Sequence, residues 1–125
     1  MDDTKKILLI EDDANLSQLL SGRLEKCGFI LVTANDGRDG LAKVKSEMPD
    51  LIILDLKLPK LPGEEVCRQV RKDDATAKIP IIMMTGKTSE VDRVIGRVIG
   101  ADYYITKPFE MSDLLSAILK VTEGK

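Results

Sequence analysis

Leu51-Ile52-Ile53-Leu54-Asp55 is the stretch that decides the fold, because four consecutive apolar residues run directly into a carboxylate. A wholly apolar run of this length is typical of a central strand in a parallel sheet covered by helices on both faces. Two other apolar runs, 7–10 and 81–84, also end in polar residues, Glu11-Asp12-Asp13 and Thr85-Gly86. We therefore expect buried parallel strands whose carboxyl ends carry functional groups, since sites in such sheets assemble at that edge.

Two further strand patterns complete a predicted five-stranded sheet. Residues 30–33 and 103–106 contain threonine and tyrosine and are expected at its edges. Apolar residues at helical spacing follow every strand pattern, so the chain reads as (βα)5. The predicted fold is α/β, a doubly wound parallel sheet of flavodoxin-like order 2-1-3-4-5 with right-handed crossovers. The helical positions expected to pack on this sheet are Leu16, Leu20, Leu24 and Cys27; Leu41, Val44 and Met48; Val66, Cys67 and Val70; Val91, Val94, Ile95 and Val98; and Leu114, Leu115, Ile118 and Leu119.

The length of 125 residues and the ordinary globular composition predict one domain, residues 1–125. No apolar run approaches the roughly 20 residues of a membrane span, and the charged residues 1–6 lead into a strand without a signal-peptide pattern. A cytoplasmic location is expected. The net charge is −2 and the basic residues are dispersed, which argues against direct binding of nucleic acid.

The cysteines and the absence of histidine narrow the chemistry. Cys27 and Cys67 are far apart in the sequence, which predicts two buried thiols and neither a disulfide nor a metal site. The chain has no histidine, the commonest general base and the usual carrier of a covalent phosphohistidine. Any histidine in the mechanism must therefore come from a partner.

Acidic residues converge at the predicted switch point between the first and third strands. Glu11, Asp12 and Asp55, together with Lys107 from the end of the fifth strand, would carry a formal charge of −2 in one pocket. Such a charge is costly to desolvate unless a cation is shared. Mg²⁺ is expected, with Mn²⁺ as a substitute, because it needs only one or two carboxylates and leaves positions for a phosphate oxygen.

The arrangement predicts a site for an incoming phosphoryl group, with Asp55 as the nucleophile. Asp12 is expected to bind the metal directly, Glu11 through a water molecule, and the loop through the backbone carbonyl of Lys57. Asp13 is interpreted as a first-turn acid that favours the helix dipole.

Three other groups are expected around the phosphoryl position. Lys107 would pair with Asp55 and then with the transferred phosphoryl oxygens. Thr85 would donate its hydroxyl to one of those oxygens, and Gly86 would let a backbone N–H approach. Catalysis would consist of positioning and charge neutralisation.

Lys57 and Lys87 stand two residues past Asp55 and Thr85 respectively. Their side chains are expected to flank the approach of water and to tune dephosphorylation, with slower hydrolysis as the predicted result. The alternatives are that they stabilise the transition state or are solvated loop lysines. The protein is not expected to be an enzyme beyond catalysing its own phosphorylation and dephosphorylation.

The chain resembles the receiver domains of response regulators in two-component signalling, such as those of chemotaxis, over its full length. The resemblance rests on Glu11-Asp12, on residues 50–59 with Gly63 following, on Thr85-Gly86, and on Gly100-Ala101-Asp102 leading to Lys107-Pro108-Phe109. It implies phosphotransfer to Asp55 from a partner histidine kinase or histidine phosphotransfer protein. It also implies a switch pair of Thr85 and Tyr104 and a cis peptide at Lys107-Pro108.

The resemblance further implies a phosphoprotein that signals to a downstream protein through the face formed by the fourth helix, fifth strand and fifth helix. Its expected state is a monomer or a phosphorylation-dependent dimer, with no membrane partner. The chain could instead be the receiver fragment of a longer transcriptional regulator or hybrid kinase. An aspartyl-phosphate hydrolase is disfavoured by Lys57, which stands where those enzymes carry a second aspartate. A flavin carrier is disfavoured because Glu11-Asp12-Asp13 would repel its phosphate.

Overall fold

The computed structural model describes residues 4–86 and 100–123 and confirms the predicted sheet. Its five strands, all parallel to their neighbours, have the order β2-β1-β3-β4-β5. They are β1 (Lys6–Ile10), β2 (Ile30–Ala34), β3 (Leu51–Asp55), β4 (Ile81–Thr85) and β5 (Tyr103–Thr106). The two strands predicted at the edges, β2 and β5, lie there.

Four of the five predicted helices fall within the described residues. They are α1 (Ala14–Lys26), α2 (Gly37–Glu47), α3 (Gly63–Lys72) and α4 (Met111–Thr122). The predicted fourth helix and Lys87 lie outside the described residues, so α4 corresponds to the fifth helical pattern of the sequence. Among these helices, none combines the length and the apolar character that crossing a membrane requires.

The core has two layers, one on each face of the sheet, because successive side chains of a strand point to opposite faces. Ile52 and Leu54 pack with Val44 of α2 and Val66 of α3. Leu51, on the other face, packs with residues of α1 and α4. Strands β1, β3 and β4 are covered on both sides, which explains their wholly apolar sequences.

Helix α1 has a well-defined beginning and end. Asp13 is its N-cap and accepts hydrogen bonds from the backbone N–H groups of Asn15 and Leu16. The helix stops at Gly28, which adopts φ of 99°, and the N–H of Phe29 donates to the carbonyl of Leu24. This is a Schellman arrangement, in which a glycine supplies the left-handed residue that ends the helix. It also refines the interpretation of Asp13, whose carboxylate caps the helix from the residue before it.

Three apolar side chains that were predicted to pack on the sheet are exposed instead. Cys27 is the C-cap of α1, and Met48 is the left-handed C-cap of α2, so both lie where the helix turns away from the sheet. Leu119 is 61% exposed because it lies about 100° around the helix from Ile118. The buried stripe of α4 is Leu114, Ala117, Ile118 and Val121.

Cys67 is buried as predicted, and both cysteines are free thiols. Burial raises the pKa of the Cys67 thiol to about 11. This thiol is therefore a packing group at neutral pH, since the thiolate is the reactive form of cysteine.

Candidate functional site

The register between β1 and β3 brings the three predicted carboxylates together. Ile10 lies opposite Leu54, so Glu11 and Asp55 follow at the same carboxyl edge. One carboxylate oxygen each from Glu11, Asp12 and Asp55 lies within 4.8 Å of the others. Glu11 and Asp55 are buried and Asp12 is exposed. This all-oxygen donor set, open to solvent on one side, fits a hard divalent cation such as Mg²⁺.

Lys107 lies between two of these carboxylates. Its Nζ donates to Glu11 Oε1 at 2.7 Å and to Asp55 Oδ2 at 3.0 Å. Burial alone would lower the pKa of Lys107, but its hydrogen bonds to Glu11 and Asp55 and the negative charges of these two groups together outweigh burial and raise it. Lys107 is therefore held as an ammonium group that partly compensates the acidic cluster.

Glu11 is the most strongly confined of the acids. Its second oxygen accepts a hydrogen bond from the backbone N–H of Asp13 at 3.1 Å. Burial raises the pKa of Glu11, while the hydrogen bonds from Lys107 and Asp13 oppose that rise, and burial prevails. Without a bound cation, ionised Glu11 therefore destabilises the folded protein. A cation bound beside Glu11 would offset that destabilisation.

Asp55 ends β3 with both carboxylate oxygens engaged. Oδ1 accepts the backbone N–H of Lys57 at 3.1 Å, and Oδ2 accepts the ammonium of Lys107. A carboxylate has about four lone-pair sites, so each oxygen keeps capacity for another partner. The Lys57 side chain is exposed. Two roles of Lys57 stay predictions: metal binding through its backbone carbonyl and tuning of dephosphorylation through its side chain.

Thr85 ends β4, next to β3, and is 1% exposed. Its Oγ1 is buried without a hydrogen-bond partner among the described residues. A buried hydroxyl left in this state is destabilising by about 1–3 kcal/mol. An unsatisfied donor at this edge of the sheet is consistent with the predicted role of Thr85 toward a phosphoryl oxygen.

The remaining predicted residues lie around this centre. Gly86 is exposed, and apart from its chain neighbours no described atom lies within 4 Å of where a Cβ would stand, so no steric requirement for glycine is seen at this position. Tyr104 lies in β5, partly buried against the core face that carries Met83, its register partner. The peptide between Lys107 and Pro108 is cis, as the resemblance implied.

Sequence reasoning missed two contacts at the centre. It paired Lys107 with Asp55 alone, whereas the ammonium also contacts Glu11. It also missed the hydrogen bond from the backbone of Lys57 to Asp55. The register of β1 against β3 was the available signal for the first contact, because it places Glu11 and Asp55 side by side.

Comparison with known proteins gives a consistent result. The sequence profile of the response regulator receiver domain family matches residues 7–119. The alkaline phosphatase synthesis transcriptional regulatory protein PhoP of Bacillus subtilis (strain 168) is 45% identical over 122 residues, covering 95% of this chain and 50% of PhoP. This chain spans about half the length of the curated relatives it matches.

Solved structures show the same architecture. The chemotaxis protein CheY4 of Vibrio cholerae superimposes with a TM-score of 0.89 at 33% identity, covering 94% of this chain and 98% of CheY4. The signal receiver domain of a signal transduction histidine kinase from Syntrophus aciditrophicus has a TM-score of 0.90 at 30% identity, covering 97% of this chain and 92% of that domain.

Proposed function

Because the chain belongs to the response regulator receiver domain family, we propose that Asp55 accepts a phosphoryl group in a Mg²⁺-dependent reaction. The donor is a histidine kinase or a histidine phosphotransfer protein. One observation carries the proposal. Three carboxylates gather at the carboxyl edge of the sheet, where Lys107 contacts two of them and leaves part of the negative charge uncompensated.

In the proposed reaction an oxygen of the Asp55 carboxylate attacks the phosphorus of a phosphohistidine on the partner. The new O–P bond forms as the N–P bond breaks, and the imidazole leaves with the electron pair. The histidine must belong to the partner because this chain has none. Asp55 is held for attack by the N–H of Lys57 on one oxygen and Lys107 on the other.

Glu11, Asp12, Asp55 and the carbonyl of Lys57 are the groups that would hold Mg²⁺. When bound, Mg²⁺ would neutralise the acidic cluster and the charge on the phosphoryl oxygens. Lys107 already lies 3.0 Å from Asp55 Oδ2, so its ammonium can reach a phosphoryl group attached there. Thr85 supplies a hydroxyl that has no other partner among the described residues.

We propose that the protein catalyses only the gain and the loss of this phosphoryl group. Lys57 and Lys87 tune its lifetime, and Thr85 with Tyr104 relays its presence to the face that includes β5 and α4. A change in hydrogen exchange across residues 85–110 on adding beryllofluoride, a phosphoryl mimic, would support the relay. An unchanged profile would refute it.

The test of the proposed function is phosphorylation with acetyl phosphate and Mg²⁺, followed by mass spectrometry. Wild-type protein should gain one acid-stable, base-labile phosphoryl group, and Asp55→Asn should gain none at this site. Asp74→Asn is the matched control, because Asp74 is an exposed carboxylate beyond α3. Equal labelling of the wild type and Asp55→Asn at this site would overturn the assignment. Steady release of phosphate from unrelated phosphomonoesters would favour a hydrolase.

A second candidate places this receiver within a longer transcriptional regulator. The observation that favours it is the match to PhoP, of which this chain covers 50%. In that case the phosphorylated receiver would control an effector region on the same polypeptide. Sequencing the genomic DNA on both sides of codons 1–125 decides between the candidates, because an open reading frame limited to the receiver would exclude the longer regulator.

A further inference from the structure

The loop that follows Asp55 rests on the first turn of α2. The N–H of Gly37, the first residue of α2, donates to the carbonyl of Pro59 at 3.2 Å. Beside this bond, Lys60 Nζ lies 3.7 Å from Oδ2 of Asp36, the N-cap of α2. Lys60 itself adopts φ of 69°, a left-handed conformation that non-glycine residues seldom take. Residues 59–61 are thus held against α2 by a hydrogen bond and an ion pair.

Gly37 leaves no room for a side chain at this contact. A Cβ on Gly37 would overlap the carbonyl oxygen of Leu61 and lie 2.7 Å from its carbonyl carbon. The obstructing atoms belong to the backbone, so a rotamer change cannot relieve the overlap and either the loop or the helix must move. Leu61 also packs against the core layer that includes Val44 of α2.

The same loop controls Asp55 directly. Its first residues place Leu56 and Leu58 in the core, and between them the N–H of Lys57 holds Asp55 Oδ1 at 3.1 Å. Lys57 stands two residues before Pro59, the point of attachment to α2. A displacement of the loop at Pro59 therefore has only two residues to cross before it moves the N–H of Lys57, which orients Asp55.

We propose that Gly37 is a positioning residue for the acceptor site: by lacking a side chain, it lets the loop close on α2 at the distance that brings Lys57 to Asp55. The inference rests on the proposed function, since Lys57 also supplies the carbonyl expected to bind Mg²⁺. It assigns a role in metal binding and phosphorylation to a helix that contributes no ligand to the site.

The test compares Gly37→Ala with two controls. Gly22→Ala adds the same methyl group at a position in α1 where, apart from the adjacent residues and the backbone of the helix itself, no described atom lies within 4 Å. Val121→Ala removes buried packing from α4, in the core layer on the other face of the sheet from Leu56, Leu58 and Leu61, and supplies a destabilised protein with an intact Gly37 contact. Urea unfolding monitored by circular dichroism ranks the stabilities. Because the chain has no tryptophan, Mg²⁺ binding is followed by NMR chemical shifts.

Folded Gly37→Ala should bind Mg²⁺ about tenfold more weakly than the wild type, as expected when a group that orients a ligand is displaced. Its phosphorylation by acetyl phosphate at subsaturating Mg²⁺ should slow in proportion. Both controls should match the wild type in affinity, whatever their stability. Wild-type affinity in folded Gly37→Ala would overturn the inference.

Lys60→Asn covers the case in which Gly37→Ala does not fold. Asparagine tolerates the left-handed backbone but loses the ion pair with Asp36, so Mg²⁺ affinity should fall about twofold. An unchanged affinity would then overturn the inference. If the wild-type protein shows no Mg²⁺ binding that depends on Asp55, the proposed function itself fails, and this outcome differs from failure of the Gly37 contact alone.

Discussion

Arg71, at the amino edge where the strands begin, and Lys107, at the carboxyl edge where they end, both lie among oxygen atoms, but in opposite ways. At the amino edge, the guanidinium of Arg71 is surrounded by acceptors that it satisfies. Its Nε donates to the carbonyl of Gly100 at 2.9 Å, its Nη1 to Ala77 at 3.0 Å and Ile79 at 2.7 Å, and its Nη2 to Asp102 Oδ2 at 2.7 Å. The same oxygen of Asp102 accepts the N–H of Ile81, the first residue of β4.

At the carboxyl edge, one lysine faces more acid than it can neutralise. Lys107 contacts Glu11 and Asp55, Asp12 lies close by, and the hydroxyl of Thr85 has no partner among the described residues. Charge and hydrogen bonds are balanced at the first edge and unbalanced at the second. The difference indicates that the amino edge stabilises the fold, whereas the carboxyl edge is built to be completed by a ligand.

Removing Arg71 should have the largest effect on stability. Arg71→Ala removes the side-chain donor from three carbonyls and leaves the Asp102 carboxylate with the N–H of Ile81 and no guanidinium. It should lower the free energy of unfolding by about 2–3 kcal/mol. Urea unfolding in the absence of metal measures the loss. Phosphorylation of the folded variant by acetyl phosphate should match the wild type, because Arg71 lies at the opposite edge from Asp55.

Arg68→Ala is the matched control, since Arg68 lies on the same helix, is half exposed and pairs only with Glu65 in the described structure. Its expected cost is about 0.5 kcal/mol or less. Equal losses in the two arginine variants would contradict the view that the amino edge is a structural cluster.

Removing a negative charge from the acidic cluster at the carboxyl edge should instead raise the free energy of unfolding. Because burial raises the pKa of Glu11, the folded protein takes up a proton more readily than the unfolded chain. Stability therefore falls as pH rises from the ordinary value of 4.5 through the folded pKa. The pKa of Lys107 is also raised, but its contribution is present below 10.5 and is lost only at higher pH.

Glu11→Gln should consequently be more stable than the wild type at pH 7, by about 1 kcal/mol, and should bind Mg²⁺ more weakly. The gain should shrink toward pH 4, where the wild-type carboxyl is protonated. Urea melts in chelator at pH 4, 5.5 and 7 measure both effects, with Glu25→Gln on α1 as the control substitution. A variant less stable than the wild type at pH 7 would contradict the proposed trade between stability and binding.

The order of the strands could be predicted because apolar strand runs and helical spacing alternate along the sequence, which is typical of a doubly wound sheet. Apolar runs marked the buried strands, and their polar ends placed Glu11, Asp55 and Lys107 at one edge before any side-chain contact was known. The sharing of Lys107 between the two acids depends on register and rotamer, which the sequence pattern does not specify. The docking of residues 59–61 on Gly37 is a contact between distant backbone segments and has no periodic signature.

The other incorrect predictions concern apolar residues at the C-terminal ends of helices, which were expected to pack on the sheet. Leucine and methionine promote helix formation and pack well, so apolar spacing alone extended the apolar stripe of α2 to Met48. The structure turns the chain at Met48 with φ of 44° and ψ of 63°, and the Met48 side chain is 49% exposed. The left-handed residue at a helix end is usually glycine. Position 48 is methionine, so the sequence carries no such signal for this turn.

Met48 and Lys60 are the non-glycine residues with positive φ in the described structure, one at each edge of the sheet. At the carboxyl edge, the strain at Lys60 belongs to the loop that orients Asp55. At the amino edge, Met48 serves only to end α2, so its strain should be removable without consequence for phosphorylation.

Met48→Gly should raise the free energy of unfolding by about 0.5 kcal/mol, because relief of the left-handed strain exceeds the loss of a half-exposed side chain and of chain stiffness. Met48→Ala loses the side chain but keeps the strain, so it should be about 1 kcal/mol less stable than Met48→Gly. Ser46→Gly, inside α2, should instead lower stability. Urea melts measure all three. If Met48→Gly were no more stable than Met48→Ala, the backbone at position 48 would not be strained. If Met48→Gly slowed phosphorylation, the two edges would be coupled through α2, and the division between a structural edge and a functional edge would fail.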